Sequence, residues 1–237
     1  MRRCILILAF LVTIFYAGTT QAATSLTMYG PPHEPENFQY LDYTNPDAPK
    51  GGVLKLAKTG TFNDLNANII LGTAAEGLEM INDKLMQRAW NEPFTLYALV
   101  AEKVDITPDR SAITFHLNKK ARFHDGSPMT TDDVLFSFES YKEHGHPVRR
   151  RVYSLVKKID KIDKYTIRFS FGAGYDRESV MILAMMPVLP KHYWEKHDIS
   201  KTTLESPMGS GPYKVLSIEA GRKVIYQRVK DYSASDH

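Results

Sequence analysis

The clearest alternation of hydrophobic and polar positions runs from Ile113 to Tyr141 and predicts a strand, a turn and a helix, in that order. Apolar residues occupy every second position from Ile113 to Leu117, which is the period of a half-buried strand. Thr130 and Asp133 have the spacing of a capping box, and apolar residues then recur at helical intervals as far as Tyr141. We therefore expect a strand-to-helix corner here, with the helix starting at about Thr130.

The same periodicities predict further elements on both sides of this corner. Proline-rich sequence from Leu26 to Gly52 predicts an irregular surface strap that packs its aromatic side chains on the protein, and residues 142–151 are expected to form a polar turn. Two strand pairs are expected to be hairpins joined at residues 163–164 and 220–221. We expect helices over residues 74–87 and 179–186, and strands over residues 52–59, 104–106, 154–162, 165–171, 213–218 and 224–229.

The first residues of the chain predict an exported protein. Met1 is followed by two arginines, an apolar run and small residues up to Ala22, which are the three regions of a secretory signal peptide. Residues 1–22 are therefore predicted to be a signal peptide, cleaved near Ala22. The single cysteine, Cys4, lies in this signal, so the exported part is expected to contain no disulfide and no reactive thiol.

Most of the formal net positive charge of the chain lies in the predicted signal peptide. The 237 residues include 30 Lys and Arg and 27 Asp and Glu, a formal net charge of +3. Removal of the signal takes away Arg2 and Arg3 and lowers this charge to +1. No basic stripe suited to nucleic acid remains, and nucleic acid is not predicted as a partner.

Two groups of residues that contain histidine are candidates for a catalytic or a metal site. His124 and Asp125 resemble an imidazole–carboxylate pair, but adjacent residues in a turn rarely face each other, so a local structural role at the corner is the better interpretation. His144 and His146 offer too few ligands for zinc. No catalytic residue, metal or cofactor is predicted.

A longer pattern across the corner resembles a known family. Its residues are similar to the signature of extracytoplasmic solute-binding proteins of peptide ABC importers, and the phrase FQYLDYTNPDAPKGG resembles the YejA-like branch of that family. The resemblance implies an α/β fold, the amino-terminal lobe of a type II periplasmic binding protein, with a mixed sheet and flanking helices. The matching residues are Phe115, Leu117, Ala121, Phe123, His124, Asp125, Gly126, Pro128, Thr130, Asp133 and Val134.

The same resemblance suggests where a ligand is held. One segment follows the predicted strand 52–59, where loops commonly present binding residues, and the other is the glycine-rich turn SPMGSGPYKV. The alternative for the two asparagines of the first segment is that they only satisfy the backbone of a turn. The candidate ligand-binding residues are Thr61, Phe62, Asn63, Asn66, Gly209, Ser210 and Gly211.

The implied function is a periplasmic oligopeptide-binding component that delivers peptides to an inner-membrane ABC permease, acting as a monomer. Residues 23–237 would be the amino-terminal part of the binding domain, because the second lobe of the family is missing, and this expectation makes the chain a truncated or split member. The alternatives are a secreted hydrolase, for which no nucleophile or carboxylate pair has suitable spacing, and an inert remnant of a split binding protein.

Three surface features have two interpretations each. Trp90 could stack on a ligand, but packing in the core or at the lobe edge is favoured, because tryptophan is highly buried on average. Residues 149–151 are three arginines that could meet an acidic ligand, although a solvated charged turn is the commoner explanation. Met181, Met185 and Met186 could form an adaptable ligand surface, but filling of core gaps is favoured.

Overall fold

A computed structural model describes residues 22–234 and shows an α/β protein with nine strands in three sheets and four α-helices within that range. The strands are β1 (Ser25–Thr27), β2 (Met86–Arg88), β3 (Thr95–Ala98), β4 (Ala101–Ile106), β5 (Ala112–Leu117), β6 (Val156–Lys161), β7 (Thr166–Phe171), β8 (Tyr213–Glu219) and β9 (Lys223–Arg228). The helices are α1 (Thr131–His144), α2 (Pro147–Ser154), α3 (Arg177–Ala184) and α4 (Lys191–Trp194).

The four-stranded sheet, in the order β4-β5-β7-β6, is the centre of the larger hydrophobic core. Its neighbouring strands are antiparallel, with Ile113 opposite Phe169 in the β5–β7 pair. Phe138 of α1 packs against Phe169 at 5.3 Å between ring centroids and stacks on Tyr153 of α2 at 5.1 Å. The alternation that predicted β5 therefore places its apolar side chains in this core.

The predicted start of α1 is confirmed. Thr130 is extended and caps the helix, with its hydroxyl oxygen accepting a hydrogen bond from Asp132 N at 3.3 Å. Asp133 Oδ2 accepts from Thr130 N at 2.9 Å, which completes the capping box. The acidic first turn also matches the positive end of the helix dipole.

A smaller core lies under the hairpin of β8 and β9. Its buried members are Leu65, Ala75, Leu78, Ile81 and Val215, and side chains of the hairpin pack on them. The hairpin turns at Gly221, whose φ of 71° lies in the left-handed region that glycine adopts easily. The predicted hairpin at residues 220–221 is confirmed, as is the hairpin of β6 and β7.

The helix predicted over residues 74–87 is wrong. This stretch contains one short 3₁₀ helix, Leu78–Met80, preceded by Gly77 with a left-handed φ of 89°. The stretch ends in β2, which is antiparallel to β3. The apolar spacing that suggested a helix is instead divided between the smaller core and a strand, because pairing with β3 outweighs local periodicity.

The strand predicted over residues 52–59 is also wrong. Val53, Leu54 and Leu56 are 86%, 83% and 84% exposed, and no strand is assigned to this stretch. Within residues 22–234 no neighbouring strand pairs with it, so its backbone gains no ladder of hydrogen bonds. Alternation alone is not sufficient to make a strand here.

The polar turn predicted over residues 142–151 is largely helical. α1 continues to His144, and α2 begins at Pro147, a residue suited to the first position of a helix. Because Ser154 is the last residue of α2, the strand predicted from residue 154 begins only at Val156. The second predicted helix lies at Arg177–Ala184, capped by Asp176.

The irregular strap is confirmed except for the short strand β1, but its aromatic side chains are less buried than predicted. Tyr29, Tyr40 and Tyr43 are 62%, 47% and 43% exposed, whereas Phe38 packs edge-on against Tyr97 at 5.1 Å. The favoured packing of Trp90 is wrong, since this side chain is 88% exposed. In the range 22–234, none of the helices has both the length and the apolar composition that a membrane crossing requires.

Candidate functional site

Two adjoining cavities form the best candidate site, and both are lined by Lys84 and Arg149. We call them together the Lys84–Arg149 groove. The first cavity has a volume of about 380 Å³ and a lining that mixes polar and apolar residues, with Glu76 and Glu79 among the polar ones. The second has a volume of about 420 Å³ and a more apolar lining, composed of His146, Val148, Ile182 and Met185 beside the two basic residues.

Different elements position the two basic side chains. Lys84 lies just before β2, where its carbonyl accepts a hydrogen bond from Val100 N at 3.2 Å and its backbone bridges to Pro187. Arg149 lies in the first turn of α2, and its guanidinium is stacked over the ring of Tyr141 at 4.8 Å. Stacking on an aromatic face suits the planar guanidinium and restricts its orientation.

The two basic side chains of the groove have acidic residues near them but no direct ion-pair partner in the described chain. Neither Lys84 nor Arg149 forms an ion pair or a side-chain hydrogen bond with another residue between positions 22 and 234. Burial lowers the pKa of the Lys84 ammonium, and the nearby charge of Arg149 lowers it further. The charges of Glu79 and Asp83 act in the opposite direction, and an anion bound at Lys84 and Arg149 would further offset the repulsion between these two cations.

Tyr141 forms the rigid floor under the guanidinium. Its side chain is 1% exposed, and its hydroxyl donates a hydrogen bond to Asn68 Oδ1 at 2.7 Å. Burial raises the pKa of Tyr141 to about 12, so the hydroxyl remains a neutral donor near neutral pH. Asn82 Oδ1, on a residue that also lines the first cavity, is buried and has no hydrogen-bond partner in the described chain.

The candidate residues of the first loop do not line either cavity. Thr61 Oγ1 donates to the carbonyl of Gly221 at 2.9 Å, and Phe62 packs against the smaller core. Asn63 Oδ1 accepts from Thr73 N at 2.7 Å. Asn66 is 1% exposed and donates from Nδ2 to the carbonyls of residues 199 and 201. Both asparagines thus satisfy loop backbone, while their role toward a ligand stays a prediction.

The glycine-rich turn is buried against the segment that precedes Lys84. The backbone N–H groups of Ser210 and Gly211 both donate to the carbonyl of Ile81, and Ser210 Oγ accepts from Asp83 N at 3.0 Å. A Cβ at Gly209 or Gly211 would lie 2.2 Å from a backbone oxygen. The turn therefore determines the position of the backbone that carries Lys84, and a direct ligand contact by it stays a prediction.

His124 and Asp125 have separate partners, which supports the structural interpretation of this pair. His124 Nε2 is 2.9 Å from the carbonyl oxygen of Gly211, and burial lowers the pKa of this imidazole. Asp125 accepts hydrogen bonds from Ser127 and lies 2.8 Å from His192 Nε2. The pair joins the strand-to-helix corner to the glycine-rich turn and to α4.

The described residues bring one set of potential metal ligands together, in the strap rather than in the groove. Ligand atoms of His33, Glu34 and Asp42 lie within 4.8 Å of one another. They also bond one another, since His33 Nε2 is 3.0 Å from Asp42 Oδ2, and Glu34 Oε1 accepts from Asp42 N. These mutual hydrogen bonds are sufficient to explain the grouping.

The sequence provided only a partial signal for the groove. The sequence offers residues 149–151 as an acidic-ligand contact, but a solvated turn is the commoner explanation for three arginines. Only the helix shows that Arg149 is half-buried while Arg150 is exposed. Lys84 is not singled out by the sequence, because nothing in the pattern of residues 74–87 distinguishes it. Met181 and Met186 are buried, as predicted for core filling, whereas Met185 lines the second cavity.

Comparison with known proteins adds independent observations. The family model described as bacterial extracellular solute-binding proteins, family 5 Middle, matches residues 95–237. A Brucella melitensis protein named as a binding protein is 40% identical over 250 residues, which cover 99% of this chain and 41% of that protein. An Agrobacterium fabrum protein named "Probable peptide-binding protein YejA" is 39% identical over 209 residues, 85% of this chain and 34% of that protein. The chain thus spans about two fifths of the length of the first of these relatives.

A solved structure shares the fold. The ABC transporter-associated periplasmic binding protein DppA of Helicobacter pylori, in complex with the peptide STSA, superposes with a TM-score of 0.58 and 26% sequence identity. The match covers 73% of this chain and 38% of that protein. The α/β arrangement described above is therefore that of part of a type II periplasmic binding protein.

Proposed function

Because the chain belongs to the bacterial extracellular solute-binding proteins of family 5, in their YejA-like branch, we propose that it captures oligopeptides in the periplasm for an inner-membrane ABC permease. Binding of a solute or peptide outside the cytoplasm is the role common to this family. The restriction to oligopeptides and the partnership with a permease are the finer parts of the proposal. Proteins of this kind bind their ligands without transforming them.

The observation that supports this function best is the Lys84–Arg149 groove. It combines open volume, a rigid aromatic floor, apolar side chains and two cations that lack an anionic partner in the described chain. Ligand sites typically combine apolar walls with a few oriented polar groups. A peptide matches such a lining, because it offers charged termini, a hydrogen-bonding backbone and side chains that differ in polarity.

The candidate residues from the sequence fit this proposal in two ways. Thr61, Phe62 and Asn63 remain partly or fully exposed, so we propose that they contact the ligand at the edge of the lobe. Asn66 and the turn at residues 209–211 are buried, and we propose that they act on the ligand through the backbone that they hold in place. We also propose that residues 1–22 are a signal peptide and that residues 23–237 belong to the binding domain; residues 1–21 lie outside the described structure.

Thermal unfolding with and without a mixed pool of short peptides tests the proposal. A ligand that binds only the native state increases the free energy of unfolding by mass action, by about 2.7 kcal/mol when its concentration is 100 times its dissociation constant. The unfolding midpoint rises as a consequence. We expect a cooperative transition that moves upward with peptide concentration. The matched control is a pool of free amino acids at the same total mass, and a midpoint that no peptide moves would contradict the proposal.

A further inference from the structure

We propose that the Lys84–Arg149 groove binds a carboxylate joined to an apolar side chain, as found at the carboxyl terminus of a peptide that ends in a nonpolar residue. The carboxylate would lie between the two cations, and the side chain would lie on Val148, Ile182 and Met185. The inference rests on the proposed function only in taking the ligand to be a peptide. It adds which end of the peptide is recognised, and by which residues.

The two basic side chains of the groove favour the binding of an anion. Lys84 and Arg149 line both cavities, and no acidic side chain between residues 22 and 234 forms an ion pair with either. Holding two cations together in a partly desolvated place is unfavourable, and an anion between them removes that cost. A carboxylate can accept two parallel hydrogen bonds from a guanidinium, so Arg149 is especially suited to this group.

The acidic residues nearby do not replace such a ligand. Asp83 bonds instead to Tyr232, at 2.8 Å, and is 6% exposed. Glu76 pairs with Lys58, at 3.3 Å, and Glu79 forms no ion pair with any described residue, although its charge is felt at Lys84. Glu76 and Glu79 line the first cavity together with the two cations, whereas no acidic residue of the described chain lines the second cavity. An anionic group is therefore favoured on the side of Lys84 and Arg149 that faces the second cavity.

The apolar residues beside the cations specify what is attached to the anion. Val148 is 46% exposed, and Ile182 and Met185 are half-buried, all in the lining of the second cavity. In a peptide, the last side chain is attached one carbon atom from the terminal carboxylate, so both can occupy this cavity together. Inorganic phosphate offers the charge alone and would leave the apolar surface uncovered.

Calorimetric titration of the purified full chain with two forms of one tripeptide tests the inference. The probe is Ala-Ala-Leu with a free carboxylate, and the comparison is the same peptide as its carboxyl-terminal amide. We expect the amide to bind at least about tenfold more weakly, because it loses the charge-assisted hydrogen bonds. Replacing the final leucine by glycine is expected to weaken binding of the free acid by about tenfold as well.

Substitutions at Lys84 and Arg149 test whether the preference for the free acid arises in the groove. Arg149→Gln and Lys84→Gln are each expected to abolish the preference for the free acid over the amide. Arg150→Gln is the matched control, because Arg150 lies next to Arg149 in α2 but is exposed and lines neither cavity. Circular dichroism melting establishes that each variant is folded, and N-acetyl-leucine provides a second probe that carries the carboxylate and the apolar side chain without a peptide.

The outcomes separate this inference from the proposed function. Equal binding of acid and amide by the unaltered protein would overturn the carboxylate site and leave peptide binding intact. If neither peptide binds, the proposed function fails, and N-acetyl-leucine then decides the site: binding that Arg149→Gln removes supports it, and no binding overturns it. If inorganic phosphate binds as tightly as N-acetyl-leucine, then the apolar side chain of the ligand contributes nothing to binding, and that part of the inference is wrong.

Discussion

Asp83 is a carboxylic acid that lies almost entirely out of contact with water. Its side chain is 6% exposed, and Oδ1 accepts a hydrogen bond from the Tyr232 hydroxyl at 2.8 Å. Burial raises the pKa of Asp83 to about 7, although the Tyr232 hydrogen bond and the nearby Lys84 act in the opposite direction. The native state therefore binds a proton that the unfolded chain releases at much lower pH.

This residue predicts a fall in stability as the pH rises. Because the pKa is higher in the native state than in the unfolded chain, the stabilisation is complete below about pH 4 and is lost as the pH rises through about 7, with an upper bound of roughly 4 kcal/mol. Asp83→Asn keeps an oxygen for Tyr232 but does not titrate, so this loss is expected to disappear. Urea unfolding at about pH 5 and pH 8 measures it, with the exposed Asp47→Asn as control. The same pH dependence in both variants would show that Asp83 is not its source.

Gly211 contributes through the absence of a side chain. A Cβ at this position would lie 2.2 Å from the carbonyl oxygen of Met80, and that oxygen belongs to the backbone rather than to a flexible side chain. Gly211→Ala is therefore expected to destabilise the protein by about 1–3 kcal/mol, as overpacking does. Gly172→Ala is the control, since the atoms nearest to its Cβ would belong to the side chain of Lys157, which can move, rather than to the backbone. Chemical denaturation compares the two, and equal losses would contradict the backbone argument.

At the scale of elements, the cap of α1 supports more than the helix itself. Asp133 Oδ2 accepts from Thr130 N at 2.9 Å, and its other oxygen accepts from Lys191 N at 3.2 Å, which ties α4 to the start of α1. Ser137, one turn later, accepts from Leu189 N at 2.8 Å. One side of α1 thus holds the segment leading into α4, and its other end provides Tyr141 to the groove.

Removing the capping hydroxyl should weaken this arrangement by a modest amount. Thr130→Ala leaves the Asp132 N–H without its acceptor, and we expect a loss of about 1 kcal/mol in the free energy of unfolding. Thr202→Ala makes the same chemical change at an exposed site whose hydroxyl forms no hydrogen bond with another described residue. Guanidinium unfolding of both variants measures the difference, and no difference between them would be evidence against the cap.

For the whole molecule, stability depends on two cores of unequal size. The larger one joins the three- and four-stranded sheets to the helices, and the smaller one lies under the hairpin of β8 and β9. The glycine-rich turn contacts the smaller core through Ile81, at the start of the segment that leads to Leu85 of the larger core. The groove lies beside the same segment, so its shape depends on both cores being folded.

The exposed stretch from Val53 to Leu56 should contribute little to this stability. Leu54→Ser removes a side chain that is 83% exposed, and its effect is expected to stay within about 0.5 kcal/mol. Leu85→Ala changes a residue with 0% exposure in the larger core, and a loss of about 2–5 kcal/mol is expected. Urea midpoints of the two variants test this contrast, and a large loss for Leu54→Ser would mean that the stretch is packed in solution.

The sequence predicts best those features that depend on interactions between residues a few positions apart. The corner from β5 to α1 was predicted well, because strand alternation and the pair Thr130 and Asp133 act over a few residues. Residues 74–87 were predicted as a helix, but pairing with β3 and the left-handed Gly77 prevail. For residues 52–59, the pattern was suited to a strand, but no partner strand lies beside them in the described part of the chain.

The capped helix, the two hairpins and the resemblance to solute-binding proteins, with the α/β class that it implies, follow from the sequence, since each depends on residues close together in the chain. The meeting of Lys84, Tyr141 and Arg149 in one groove follows from the packing of the whole chain, because they come from three different segments. The elevated pKa of Asp83 follows from the same packing, since it arises from burial by distant residues. Local patterns specify elements, whereas charge and solvent exposure depend on the packing of those elements together.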